Sequence, residues 1–299
     1  MKIKNYLVLS LLESIEYLKR HYVNPEKYIS YLFKKRVGYE LNLQNPRSFN
    51  EKMQWMKLFY YNPLYSKLVD KYEVKQYVSD IIGEEYIVPT IGLWNKFEDI
   101  DFGQLPNQFV LKCTHDSGGL VICKDKKKID IRKAKKKINK SLSHNYYYMG
   151  FEWVYKDVVP RIIAEQYMED NATKELRDYK FFVFNGVAKA MFLVTGRDVE
   201  THEAKCDFFD EHFKHLAFSR GYKNAESLPE KPSKFEKMKE LAERLAKGMP
   251  FVRVDFYEVN GKIYFGEMTF FPGNGMEKFN PEAWDYTFGE WLQLPKPNK

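Results

Sequence analysis

The sequence predicts an α+β fold of two lobes behind a helical N-terminal region, and three observations carry that prediction. Aliphatic and aromatic residues recur at three- and four-residue steps through the first 60 positions, among them Tyr28, Tyr31, Leu32, Met53, Met56 and Phe59. That spacing keeps one face of a helix apolar. From position 87 the texture changes to short β-type runs separated by turn residues. Two Asn-Gly pairs, Asn185-Gly186 and Asn260-Gly261, then stand between such runs. A tight hairpin needs positive φ at both central residues, which Asn and Gly tolerate, so the sheets are read as mainly antiparallel.

In chain order, Pro46 and Pro63 punctuate the helical region. Ser48 followed by Glu51 is a capping-box pattern, which starts a helix that runs toward Tyr60. A second helix is expected over 70–82, closed by Gly83. Strands are expected over 87–91, 109–114, 120–124, 162–167 and 179–184. Across the first Asn-Gly turn the chain returns over 188–195, and 206–209 adds a short strand. A helix over 234–248 precedes a final hairpin of strands 252–257 and 262–269. The chain contains no internal repeat and no low-complexity segment.

With 299 residues, 44% of them hydrophobic and 17% aromatic, the chain can bury a substantial core in two compact units. A spanning helix needs about 20 apolar residues. The most apolar N-terminal stretch, 6–12, is soon broken by Glu13 and Glu16. No small-residue cleavage site follows it, so it reads as an amphipathic helix of the mature protein, leaving peripheral membrane association open. Cys113, Cys123 and Cys206 are an odd number with no zinc-type spacing, which fits a reducing cytoplasm. The net charge of +7 is concentrated: residues 124–140 hold ten Lys/Arg against two Asp. The rest of the chain is near neutral. That run interleaves neither aromatics nor glycines, which argues against nucleic acid as a partner; it is either a solvated face or a surface for an anionic ligand.

Two constellations carry chemistry. In the first, a strand delivers Lys112, a loop follows with His115, Ser117, Gly118 and Gly119, and a second strand returns to Lys124. Lysine neutralises phosphate charge, and glycines let backbone N–H groups approach an anion without a Cβ in the way. The second runs from Arg253 and Asp255 across the hairpin to Glu267, Thr269, Pro272 and Gly273. Two carboxylates on consecutive strands repel unless a cation joins them. Mg²⁺ favours one or two carboxylates with nucleotide phosphates completing its shell.

Taken in order, these segments resemble the ATP-grasp superfamily, and within it the TupA-like branch linked to teichuronopeptide and other surface polysaccharide synthesis. The resemblance spans about residues 40–290. It implies an ATP-grasp fold whose two α+β lobes grip MgATP. In the division it implies, 1–68 form the helical region, 69–110 the linking lobe, 111–175 the lid subdomain, and 176–299 the C-terminal subdomain with the metal site. Lys71, in Asp70-Lys71-Tyr72, would open the nucleotide-binding region. Lys112 would end a strand before the Gly-rich lid, and Glu165 with Tyr167 and Met168 would address the adenine edge. Within the run from Arg177 to Gly186, Lys180 would face the site; Arg253 would stabilise the transition state. Asp255, Glu267 and Thr269 would hold Mg²⁺. Asn usually stands where this chain has Thr269, whose hydroxyl reaches less far than an amide oxygen.

The activity so implied is ADP-forming ligation of a carboxylate to an amine through an acyl phosphate, with ATP and Mg²⁺ as cofactors. The expected partners are an anionic saccharide, such as one bearing a uronic acid, and an amine or amino acid. The competing reading is a glycosyltransferase of capsular polysaccharide assembly. Its Asp-x-Asp metal motif has one formal match, Asp99-Ile-Asp101, in an expected loop.

Overall fold

The computed structural model describes residues 18, 22–171, 176–196 and 204–299. The amphipathic helix expected over 6–12 lies outside the described residues. In order, the helices are α1 (Pro25–Val37), α2 (Phe49–Phe59), α3 (Leu64–Val69) and α4 (Val74–Ile82). Strands β1 (Thr90–Trp94), β2 (Phe109–Cys113) and β3 (Leu120–Cys123) follow, then α5 (Ile131–Leu142), α6 (Tyr147–Gly150) and β4 (Ile162–Gln166). Next come β5 (Asp178–Phe184), β6 (Val187–Thr195), β7 (Lys205–Asp210), β8 (His215–Leu216) and β9 (Ser219–Arg220). The chain closes with α7 (Phe235–Leu245), β10 (Phe251–Val259), β11 (Lys262–Thr269), β12 (Phe279–Asn280) and α8 (Ala283–Trp291). Two compact units result. Of the described residues, unit 1 takes 18, 22–28, 62–75 and 88–168; unit 2 takes 29–61, 76–87, 169–171, 176–196 and 204–299. The helical N-terminal region thus contributes to both.

Unit 1 is built on a four-stranded sheet in the order β1-β4-β2-β3, with every pair antiparallel. Strand β2 alternates buried and half-buried residues, as a sheet with one covered face must. Phe109, Leu111 and Cys113 point into a core that Ala134 and Ile138 of α5 complete. The basic run is therefore largely a helix anchored by two small apolar contacts, with Lys133, Lys135, Lys136 and Lys137 exposed. Asp101, half of the Asp-x-Asp match, accepts the Gly103 N–H at 2.8 Å in a local turn; Asp99 closes a short 3-10 helix, Phe97–Asp99, where a loop was expected.

In unit 2 the six-stranded sheet runs β11-β10-β5-β6-β7-β8. Both Asn-Gly pairs make the expected turns, with φ of 50° and 83° at Asn185 and Gly186 and of 51° and 74° at Asn260 and Gly261. Every residue of β5 is buried. Phe49, from the first turn of α2, sits among Phe182, Phe184, Phe251, Phe279 and Phe288 with ring centroids 5.1–6.3 Å apart. Emptying such a site costs about 3–5 kcal/mol. The capping box forms as read: the Glu51 N–H donates to Ser48 Oγ, and the Glu51 carboxylate takes the Ser48 N–H at 3.0 Å.

The helix expected over 70–82 starts instead at Val74, with α3 ending before it at Val69 and a break at 70–73. The Asp70 carboxylate accepts the N–H groups of Tyr72 and Glu73 at 2.8 and 3.0 Å; a short acidic side chain that bonds its own backbone competes with helix formation. The strand expected at 87 starts instead at Thr90. Pro89 has no N–H to donate to a ladder, and it offers only its carbonyl, to the Gln166 N–H at 3.1 Å. Sequence reading missed α8 altogether. Gly289 inside it discourages a helix, yet a Cβ there would overlap the Arg47 carbonyl oxygen, so the residue serves close packing onto α2.

Candidate active site

In unit 1 the sheet delivers two residues to one point. Lys112 on β2 and Glu165 on β4 lie on paired strands, and Lys112 Nζ meets Glu165 Oε2 at 2.6 Å. Lys75 of α4 meets the other oxygen, Oε1, at 2.6 Å, and also donates to the Val88 carbonyl and Thr90 Oγ1 at 2.8 Å each. Burial pushes the Glu165 carboxyl up, but the two ammonium groups outweigh it and hold the group below the usual carboxylate range. Burial lowers the Lys75 ammonium, with Glu165 opposing. Counted over these groups, two lysines against one carboxylate leave one positive charge.

The glycine loop is tied to this region by its own carboxylate. The Gly119 N–H donates to Asp116 at 3.2 Å, Ser141 Oγ donates to the same carboxylate, and Lys71 Nζ donates to the Asp116 carbonyl. A Cβ at Gly119 would overlap Ser141 Oγ and Cys113 Sγ, so only glycine fits. An N–H that holds a carboxylate oxygen has the reach to hold a phosphate oxygen. Gly118 meets open space, with nothing nearer than the far end of Asp116, and Ser117 is exposed. His115 is buried; its Nε2 lies 3.1 Å from the Ser141 carbonyl, and burial lowers its pKa. Tyr167 and Met168 follow β4 directly, and the Tyr167 ring carries Lys124 Nζ at 5.5 Å from its centroid.

A second cluster lies in unit 2, on β5, β10 and β11. Arg253 clasps Asp255 with two bonds of 2.7 Å and reaches Glu267 Oε1 at 2.6 Å. Lys180, across the β5–β10 ladder from Asp255, bonds Asp255 and also meets Asp178 at 2.5 Å. The β10–β11 register slips between Val254 and Phe256, and such a bulge re-aims a side chain. Burial pushes the Asp255 carboxyl up to about 6, against the pull of Arg253 and Lys180. Burial works against Lys180 and Arg253 as well, but the surrounding carboxylates raise both above their usual values. Counted over these groups, two cations against three carboxylates leave one negative charge.

The family model for TupA-like ATP-grasp proteins matches residues 51–293. The chain belongs to that family. Among curated proteins, no sequence matches it. Similar solved structures include a D-alanine–D-alanine ligase from Bacillus anthracis, 17% identical with TM-score 0.41, covering 68% of this chain and 56% of that one. The ATP-grasp ligase PsnB with its minimal precursor is 11% identical with TM-score 0.40, covering 71% and 55%. The D-alanine–D-alanine ligase from Helicobacter pylori is 14% identical with TM-score 0.40, covering 76% and 61%. The chain spans little more than half the length of the first two.

Set in this ATP-grasp family, the structure brings Lys112 and Glu165 together in one cluster, with Lys71 holding the glycine loop. It brings Lys180, Arg253, Asp255 and Glu267 together in the other, and Thr269 Oγ1 donates to Glu267 Oε1 at 3.3 Å. Lys75 and Asp178 are the residues that sequence reading missed. Asp178 stands two positions before Lys180 on one strand, and a period of two puts both on the same face. That signal was present. Lys75 carried none, since its partner Glu165 stands 90 positions further along the chain.

The donor set can be tested against Mg²⁺. Among the described residues no three His, Cys, Asp or Glu side chains are grouped to hold a metal. The Glu267 side chain is 40% exposed and that of Asp255 1%. The cation now joining them is the Arg253 guanidinium. Mg²⁺ keeps several waters and takes one or two carboxylates beside phosphates, so Glu267 with the Thr269 hydroxyl fits it. Asp255, whose oxygens are taken by Arg253 and Lys180, lies beside them.

Among the described residues, no helix is long and apolar enough to cross a membrane.

Proposed function

We propose that the chain is an ATP-dependent carboxylate–amine ligase of the cytoplasm, acting in bacterial surface polysaccharide assembly by amidating a uronic acid or joining an amino acid to it. The observation that supports this most is the opposite residual charge of the two clusters. The positive one in unit 1 suits nucleotide phosphates, and the negative one in unit 2 suits a divalent cation.

When bound, MgATP supplies the phosphoryl group that activates a carboxylate as an acyl phosphate for attack by an amine. The protein's part is positioning and charge. Lys112 and Lys71 bind phosphate oxygens; Glu165 holds Lys112 and Lys75 at a fixed spacing. The loop over 115–119 excludes water. Glu267 and Thr269 would hold the metal, with Asp255 beside them. Arg253, drawn between carboxylates, is held where charge develops on a transferred group, and Lys180 fixes Asp255.

The saccharide is assigned to the exposed lysines of α5. A concentrated positive face raises the local concentration of a polyanion, and salt shortens its reach from about 10 Å at 0.1 M to about 3 Å at 1 M. Reversing Lys133, Lys135, Lys136 and Lys137 to glutamate should raise the apparent KM for the polymeric acceptor severalfold and leave that for ATP unchanged. Product analysis tests the reaction class. ADP and phosphate released together with an amide support the ligase; UDP released from a nucleotide sugar supports a glycosyltransferase and refutes it.

A further inference from the structure

Helix α2 buries a polar stripe beside its apolar residues Phe49, Met53 and Met56. Asn50, Gln54 and Lys57 fall at i, i+4 and i+7, one stripe of the helix, and are 0%, 0% and 1% exposed. All three reach the segment that follows β11. Asn50 Nδ2 donates to the Glu277 carbonyl at 2.9 Å, and Gln54 Nε2 donates to those of Gly275 and Asn274 at 2.6 and 3.1 Å. Lys57 Nζ donates to the Asn274 carbonyl at 2.7 Å, to Asn274 Oδ1, and to Gln54 Oε1 at 3.0 Å. From the other side, Arg220 donates to the Pro272 carbonyl at 2.9 Å and pairs with Glu277 at 2.9 Å.

The segment so held has an unusual backbone. Gly273, Asn274 and Gly275 take φ of 61°, 59° and 58° in succession, a left-handed run that L-residues avoid beyond single positions. Glycine takes this conformation freely and Asn tolerates it singly, so Gly-Asn-Gly suits a tight turn whose place is set by its hydrogen bonds. A Cβ at Gly275 would overlap Met53, and one at Gly273 would overlap Glu277, so the turn is clamped on both faces. Apolar side chains on α2 would make a more stable core, because a buried ammonium loses its hydration and must be compensated by bonds of good geometry. The polar stripe is explained if the turn's position matters. The segment starts at Pro272, three residues after Thr269 and just past the strand that carries Glu267.

We infer that Lys57, with Gln54, is a positioning residue: it pins the left-handed turn 273–275 and thereby sets the end of β11, with Glu267 and Thr269, for metal and phosphate. The inference rests on the ligase reading above for its catalytic meaning, and on the hydrogen bonds alone for the clamp.

The experiment pairs hydrogen exchange with steady-state kinetics on the full chain. In Lys57→Met, amides of 272–277 should exchange at least tenfold faster than in the parent while those of β5 and β6 stay unchanged. The Mg²⁺ concentration for half-maximal ATP turnover should rise about tenfold and kcat fall by a similar factor, with the KM for ATP within twofold. Lys57→Arg, which keeps a donor, should recover most of both effects. Asn274→Gly, which accepts the same φ and loses only Oδ1, is the milder variant should Lys57→Met not fold, and should show the same pattern at two- to fivefold. Unchanged exchange over 272–277 overturns the clamp whatever the activity. Faster exchange with unchanged Mg²⁺ dependence overturns its catalytic meaning. A parent protein that never consumes ATP overturns the ligase reading, a result the exchange data alone would not produce.

Discussion

Both units bury a knot of charges on an antiparallel sheet, and the two knots carry opposite surpluses. In unit 1 a single carboxylate, Glu165, is shared by Lys75 and Lys112, and the surplus is positive. In unit 2 Arg253 and Lys180 are outnumbered by Asp178, Asp255 and Glu267, and the surplus is negative. Burying charge is costly unless partners compensate; in unit 2 the buried groups are paired and the extra carboxylate, Glu267, has a side chain 40% exposed, open to a ligand. The proposed ligands, phosphate for unit 1 and a divalent cation for unit 2, have the complementary signs.

The largest expected effect follows from removing the negative surplus. Asp255→Asn or Glu267→Gln should lower MgATP turnover at least a thousandfold, with far-ultraviolet circular dichroism unchanged. Turnover near the parent rate in the doubly substituted protein would show that unit 2 holds no metal.

Next, Glu165→Gln should destabilise unit 1 by about 3–5 kcal/mol, the usual cost of removing one partner from a buried ionic network, read from urea unfolding. A loss below about 1 kcal/mol would mean that the two lysines are solvated and need no shared partner.

Lys112→Ala should then weaken nucleotide binding about 10- to 100-fold by calorimetry, since it removes one ammonium from the phosphate side while Lys75 keeps Glu165 paired. Unchanged affinity in the folded variant would remove Lys112 from the site.

The smallest effect is a pH dependence. Burial pushes the Asp255 carboxyl up to about 6, above its ordinary value, so the ionised form that holds Arg253 and Lys180 is lost as pH falls through about 6. Turnover should show an acid limb there. The sign for stability is opposite, because burial favours the protonated form: the parent should gain stability relative to Asp255→Asn as pH falls from about 6 to about 4. A turnover profile flat from pH 7 to 5 would contradict the assignment.

Much of this was legible in the sequence because it rests on local rules. The Asn-Gly turns set both hairpins of unit 2, and those hairpins carry Lys180, Arg253, Asp255 and Glu267. The capping box placed the start of α2 to the residue. What was not legible depends on contacts between distant segments. Lys75 is an ordinary helical lysine until β4 brings Glu165 to it, and Asp70, by bonding the backbone that follows it, moves to Val74 the start of a helix that the sequence pattern places at 70. Gly289 looked like a helix breaker because the Arg47 backbone that requires it lies near the other end of the chain. Nothing in the spacing of Asn50, Gln54 and Lys57 revealed that an apolar-looking helix buries a polar stripe.

The most direct test of the two oppositely charged clusters is a calorimetric titration of ATP, with and without Mg²⁺, into the parent, Lys112→Ala and Glu267→Gln. The account predicts that Lys112→Ala weakens ATP in both conditions by a similar factor. Glu267→Gln should leave metal-free binding intact and abolish the gain in affinity that Mg²⁺ brings. The reverse pattern, with Lys112 sensitive only in the presence of metal and Glu267 equally important without it, would contradict the division of labour proposed for the two units.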